Sequence, residues 1–152
     1  LVANIMSANA YFENAIKING GSQWRPMLHV EDAASSCIVA LEAPLEKVSG
    51  KIFNVGCDTQ NYTIEQIAKT VARFAPKAEI KIDENTKDRR DYQVSFKKIS
   101  KELNFKISKR LDDGIGEMIR VMAQGKYRNF KDPIYSNYLW LKNVNGNGDH
   151  DS

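Results

Sequence analysis

Cysteine, histidine and long apolar runs are what this sequence has least of. Two cysteines and two histidines occur in 152 residues. Cys37 and Cys57 stand in no metal-ligand spacing, which excludes a zinc site and a disulfide framework as organising features. A reduced, cytoplasmic protein that needs no structural metal is the expectation. No run approaches the roughly 20 apolar residues of a membrane-spanning helix, so no membrane partner is expected. Charge of one sign is also lacking: 22 basic residues are interleaved with 19 acidic ones, for a net charge of +3. Basic residues spread this way form no stripe with interleaved aromatics, which argues against a nucleic-acid partner.

What is present is an ordinary globular balance, 42% hydrophobic and 27% charged, enough for one core. Leu1, Ile5, Ala8 and Phe12 share one helical face. An amphipathic helix that opens the chain without a cap or lead-in suggests a piece of a longer protein, because its buried face needs partners. Residues 15–19 alternate as a strand. Gly20-Gly21 then turns, and residues 24–30 make a second strand, the two together reading as a hairpin. Asp32 is placed to cap a helix over residues 33–41 that carries Ala33, Ala34, Cys37, Ile38 and Leu41 inward and ends at Pro44.

Residues 51–56 read as a buried strand. Thr63-Ile64-Glu65-Gln66 matches a capping box, followed by the core stripe Ile64, Ile67, Ala68, Val71 and Phe74. Residues 79–83 alternate as a strand and lead into a charged stretch over 84–92. Ser95 is placed to cap a short helix with Phe96, Ile99 and Leu103 inward, closed by Asn104-Phe105. Asp112 is placed to cap a last helix with Ile115, Ile119 and Met122 inward and Gly125 as its terminator. Gly114 and Gly116 cost that helix about 1 kcal/mol each relative to Ala, so tertiary packing must support it. Residues 127–141 are aromatic and irregular. Residues 143–152 form a polar, Gly-rich tail expected to be disordered.

Read by residue type alone, Arg25 has two roles open to it. A rigid guanidinium at a strand mouth can grip an anion bidentately, and a strand-edge arginine can also pair with Glu31 or Asp32. Asn4 reads as an exposed polar helix residue, the run 87–91 as a solvated loop, and His29 as a packed, hydrogen-bonded strand residue rather than a base.

The order Asn4-Ile5, Gln23-x-Arg25, His29-Val30-Glu31-Asp32, Phe53-Asn54-Val55-Gly56, Thr63-Ile64-Glu65-Gln66-Ile67, Asp88-Arg89-Arg90-Asp91-Tyr92, Lys98-Ile99 and Leu111-Asp112-Asp113-Gly114-Ile115 resembles one family throughout. It is similar to the C-terminal, substrate-binding part of an extended short-chain dehydrogenase/reductase, in the NAD-dependent nucleotide-sugar epimerase/dehydratase group. The resemblance spans residues 1–123 and departs from the family at Met27, where relatives often carry an aromatic residue. It implies an α/β fold: the C-terminal portion of a doubly wound, Rossmann-type enzyme with its small substrate-binding domain, occupying residues 1–142 here.

The resemblance further implies that Asn4 hydrogen-bonds the diphosphate region of a nucleotide-diphosphate sugar, that Arg25 contacts its phosphates and that Arg90 also reaches the nucleotide end, Arg90 rather than Arg89 being in register with Tyr92. Two rigid cations suit a diphosphate, each charge-assisted bond contributing about 1.5–3 kcal/mol. NAD(P), and a catalytic Tyr-x-x-x-Lys pair acting as base while the cofactor takes and returns a hydride, are implied for an upstream part. A parent homodimer is implied as well. No NAD-type Gly-rich turn occurs in this chain, since Gly20-Gly21, Gly114-x-Gly116 and Gly146-x-Gly148 have neither the spacing nor the setting. The literal pairs Tyr127/Lys131 and Tyr138/Lys142 lie beyond the region of resemblance and are assigned no catalysis. The expectation is a chain that binds no cofactor and is inactive alone. The rival is a stand-alone nucleotide- or protein-binding module on the same half-fold.

Overall fold

The computed structural model describes residues 2–83, 90–127, 129–136 and 138–141. The expectations for the tail 143–152, for Arg89 and for most of the charged run 84–92 fall outside them. In chain order the elements are α1 (Val2–Glu13), β1 (Ala15–Asn19), β2 (Trp24–Pro26), α2 (Val30–Glu42), α3 (Leu45–Val48), β3 (Asn61–Thr63), α4 (Ile64–Phe74), β4 (Glu79–Asp83), α5 (Lys97–Leu103) and α6 (Leu111–Ala123). Single 3-10 turns occupy Asp58–Gln60 and Pro133–Tyr135. The class is α/β.

The expected hairpin of the first two strands does not form. β1 pairs in parallel with β4, in register from Ala15 opposite Glu79 to Asn19 opposite Asp83. β2 instead pairs antiparallel with β3, Arg25 lying opposite Tyr62. Gly20-Gly21 therefore directs the chain from one small sheet to the other. β2 is also shorter than expected, ending at Pro26, whose ring removes a ladder donor.

The main core lies between β1 and the helices α1, α4 and α6. Ile16 and Ile18 from the strand meet Ile64, Ile67, Ala68 and Val71 of α4, and Leu111 and Ile115 of α6. Each fully buried Ile or Val stabilises by about 1.5–3 kcal/mol. α4 has the expected capping box: Thr63 Oγ1 accepts from Gln66 N–H at 3.1 Å, and Gln66 Oε1 accepts from Thr63 N–H at 2.8 Å. Two of the four orphan donors of the helix start are thereby satisfied.

α1 buries Ala3, Met6, Ser7, Ala8 and Ala10. Ile5, expected inside, is 59% exposed. A helix rich in small apolar residues offers more than one phase for its buried face, and close packing against α4 and α6 selects the alanines. Similarly, Gly116 sits where a Cβ would come within 3.0 Å of Phe74 Cε1. The glycine that weakens α6 by propensity is the one that lets α4 approach it.

A second, smaller cluster joins Phe96, Ile99 and Phe105, with Val39, Phe53, Val55 and Val94 packed on it. α5 begins at Lys97 with no side-chain cap, so Ser95 does not cap it, while Asn104 ends it in the left-handed conformation (φ 53°). α6 starts at Leu111 rather than after Asp112; Asp113 Oδ2 accepts from Arg110 N–H at 2.7 Å, and Asp112 pairs with Arg73 instead. Residues 51–55 are extended but belong to no strand among the described residues.

Candidate functional site

Arg25 is the central residue of β2 and is only 9% exposed. Its Nη1 donates to the carbonyls of Trp24 and Arg90, both at 2.6 Å. Its guanidinium carbon lies 5.5 Å from the centre of the Tyr92 ring, in cation–π range. Asp91 Oδ1 accepts from Trp24 N–H at 2.8 Å. The segment 90–92 is thus fastened along the edge of β2, and the backbone of Arg90 comes to the guanidinium of Arg25. Among the described residues, Arg25 forms no ion pair with Glu31 or Asp32.

Asn4 is on the exposed side of the first turn of α1. No hydrogen bond among the described residues joins it to Arg25 or Arg90. The structure therefore brings two of the three expected contact residues together and leaves the third on another element.

Beside Arg25 runs a shallow groove of about 230 Å³ lined by Pro26, Met27, Leu28, Asn54, Val55, Val94 and Phe96. Its far wall is held by side chains that the sequence reading did not single out. Asn61 exchanges two hydrogen bonds with the backbone of Val94, Oδ1 accepting and Nδ2 donating, each at 3.0 Å. Asp58 Oδ1 accepts from Phe96 N–H at 2.6 Å. Gly56 is required there: its φ is +154°, and a Cβ would meet Phe96 Cε1 at 2.7 Å. An Asn that follows a helical turn and faces a distant strand-like segment carries no local sequence signal, which is why Asn61 was missed.

Asp32 is not the helix cap. α2 begins at Val30, and His29 is its cap, Nδ1 accepting from Glu31 N–H at 3.2 Å. Asp32, 1% exposed, accepts instead from Ser108 N–H and Oγ–H, both at 2.8 Å, and from Lys109 N–H at 3.0 Å. Burial pushes its carboxyl upward, but the Ser108 and Lys109 donors and nearby His29 outweigh burial and hold it below the usual Asp value.

His29 ends β2's trailing loop rather than lying in a strand. Its Nε2 meets Glu117 Oε2 at 3.1 Å, and Lys109 Nζ meets Glu117 Oε1 at 2.6 Å. The hydrogen bond with Lys109 holds the Glu117 carboxyl low, and the same bond raises the Lys109 ammonium. These groups pin α2 to α6 behind the groove.

The connections between elements can be compared with the turn that cradles a dinucleotide. β1 leads through Gly20-Gly21 into another strand, and β3 runs directly into α4, so the described residues present no Gly-rich turn between a parallel strand and a helix. They also hold no group of three or more His, Cys, Asp or Glu side chains that could bind a metal. No helix of the described residues is long and apolar enough to cross a membrane.

The architecture is shared with several solved enzymes. A variant of UDP-glucuronic acid 4-epimerase from Bacillus cereus, in complex with a fluorinated UDP-sugar and NAD, superposes with a TM-score of 0.68 at 18% identity, covering 82% of this chain and 40% of that one. Pal from Bacillus thuringiensis gives 0.67 at 24% identity, over 83% and 40%. L-threonine dehydrogenase from Clostridium difficile gives 0.65 at 22%, over 80% and 40%. The chain thus spans about two fifths of the length of each. Residues 1–56, which include α1, β2, Arg25 and α2, match the model of the NAD dependent epimerase/dehydratase family. Residues 1–56 are thus similar to the NAD dependent epimerase/dehydratase family, and the chain shares its fold with about two fifths of these larger solved proteins.

Proposed function

We propose that this chain is the substrate-gripping part of an NAD-dependent nucleotide-sugar epimerase or dehydratase, with Arg25 and Arg90 as donors to the nucleotide diphosphate and Asn4 as an accessory contact. The observation that carries this is a nearly buried guanidinium, fixed by two carbonyls, on a strand whose next residue, Pro26, lines a largely apolar groove. A guanidinium held in one orientation binds a phosphate with little further loss of side-chain freedom, and an apolar wall beside it accepts the flat face of a base. The work of these residues is to bind and orient. NAD and the Tyr/Lys pair are assigned to the rest of the parent enzyme, since the described residues present no cradle for a dinucleotide.

The test is calorimetric titration of UDP- and dTDP-sugars into the complete enzyme and its Arg25→Lys, Arg25→Ala and Arg90→Ala variants. Loss of one charge-assisted bond corresponds to about 1.5–3 kcal/mol, roughly 10- to 150-fold in affinity. Arg25→Lys keeps the charge but not the fork, so it separates phosphate recognition from the structural bonds to residues 24 and 90. Unchanged affinity in all three variants with unchanged melting temperature overturns the assignment.

The fold shared with L-threonine dehydrogenase favours a second reading, in which the parent acts on a small hydroxy substrate and Arg25 serves only to fasten residues 90–92. Failure of the complete enzyme to bind any nucleoside diphosphate decides for it.

A further inference from the structure

The groove beside Arg25 has two walls from distant parts of the chain, and one short segment is tied to both. The near wall, Pro26 to Leu28, continues β2, and the far wall includes Val94 and Phe96. The segment is residues 58–61, the first 3-10 turn and the opening residue of β3. Its backbone carries the near wall: Pro26 is the register partner of Asn61, and Met27 N–H donates to Gln60 O at 2.8 Å. Its side chains carry the far wall. Residues 90–96 lie in no helix or strand, so their backbone groups need other partners. The Asn61 carboxamide takes the N–H and the carbonyl of Val94 together, and Asp58 Oδ1 accepts from Phe96 N–H. An exchange of both groups with one residue is what a neighbouring antiparallel strand would make. Here a side chain makes it. A longer bond, Asn54 Nδ2 to Ser95 O at 3.4 Å, adds a further tie to the far wall.

That carboxamide has no freedom left to turn. Its second Nδ2 proton goes to Asp58 O at 3.0 Å, and the Val94 N–H requires the oxygen on its own side. The segment is in turn fixed to the body of the protein, because Gln60, 3% exposed, accepts through Oε1 from Tyr62 O–H and Leu111 N–H, each at 3.2 Å. We propose that Asn61 is a positioning residue for the ligand of this groove: it sets the register of residues 90–96 against β2, and thereby where Arg90 and Tyr92 stand relative to Arg25. This rests on the reading that Arg25 and Arg90 hold a nucleoside diphosphate. Asn61 does not itself line the groove, so its effect on the ligand passes through the far wall. The bonds from Asp91 to Trp24 N–H and from Arg25 to Arg90 O fasten the start of the same segment to β2, and leave the spacing at Val94 to Asn61.

The test is calorimetric titration of UDP-glucose and dTDP-glucose into the complete enzyme and its Asn61→Ala and Asn61→Asp variants, at about pH 8 and about pH 5. Asn61→Ala gives up both Val94 bonds and should weaken binding about 10-fold at either pH. Asn61→Asp keeps the acceptor for Val94 N–H but turns an oxygen toward the carbonyls of Val94 and Asp58. An ionised carboxylate has no proton to give them, so at the higher pH its loss should be at least as large as that of alanine. A protonated carboxyl donates again, and the facing carbonyls favour that form, so at the lower pH affinity relative to wild type should recover. Recovery confined to Asn61→Asp is a signature that lost packing alone does not give. Wild-type affinity in both variants overturns the proposal. So does a loss in Asn61→Asp that is the same at both pH values, and so does a loss in either variant that accompanies unfolding by circular dichroism. If the wild-type enzyme binds neither sugar nucleotide, the functional reading fails and this inference with it; if it binds and the variants bind alike, this inference fails alone.

Discussion

α4 and α2 are helices of similar length that solve opposite problems. α4 opens on a reciprocal capping box and turns Ile64, Ile67, Ala68 and Val71 into the main core. α2 opens on a histidine cap, turns a carboxylate and a hydroxyl inward and leaves Val30, Ile38 and Leu41 in water. The difference teaches that helix amphipathicity identifies the face that will be buried somewhere, not the face buried against the nearest residues of the same chain. For α4 the two coincide. For α2 they are about half a turn of the cylinder apart.

Substitutions in the two helices probe that contrast, and urea denaturation of the 152-residue chain reads them all. The largest effect is expected for Ile67→Ala in α4, about 2–5 kcal/mol, since a fully buried branched side chain leaves a cavity among Ile16, Val71 and Ile115. Asp32→Asn in α2 comes next, at about 1.5–3 kcal/mol, because three donors from Ser108 and Lys109 lose a charged acceptor.

The Asp32 effect carries a pH signature. The folded pKa lies below the ordinary value of 3.8, so the stabilisation is present in full above that value and is lost as pH falls through the lower folded one. Asp32→Asn should therefore flatten the acid limb of the stability curve below pH 3.8 and leave its neutral limb parallel to wild type.

Thr63→Ala, which removes the acceptor for Gln66 N–H, should cost about 1 kcal/mol. Leu41→Ala should change stability by no more than about 0.5 kcal/mol despite being a leucine in a helix, because it gives up little burial. A Leu41→Ala effect as large as that of Ile67→Ala would mean that the outer stripe of α2 is already covered in the chain alone, and the contrast would collapse.

What the sequence reveals follows the range of the interactions. Thr63 with Gln66, the alternation of residues 15–19 and 79–83, and Asn104 as a terminator are local patterns, and each element forms where its pattern lies. The pairing of β1 with β4 spans more than sixty positions, and a two-glycine turn between two strand-like runs gives the wrong neighbour by favouring the nearer one. Asp32 illustrates the same limit: a carboxylate at a helix start has the local features of a cap, and only the fold reveals donors 76 residues away. At the candidate site, family resemblance picks out Arg25 and Arg90, and the structure adds how they meet, through a carbonyl and the Tyr92 ring. The groove wall built on Asp58, Gly56 and Asn61 is tertiary throughout.

The cap of α2 has a chemical consequence for the ring that makes it. Because Nδ1 accepts from Glu31 N–H, the proton of the neutral imidazole must reside on Nε2, where it points at Glu117. His29 is thus held in one of its two tautomers by the start of a helix on one side and a carboxylate on the other. The only other histidine is His150, so the nitrogen resonances of His29 offer a nearly uncrowded spectroscopic reporter on whether the loop after β2 and α6 remain joined.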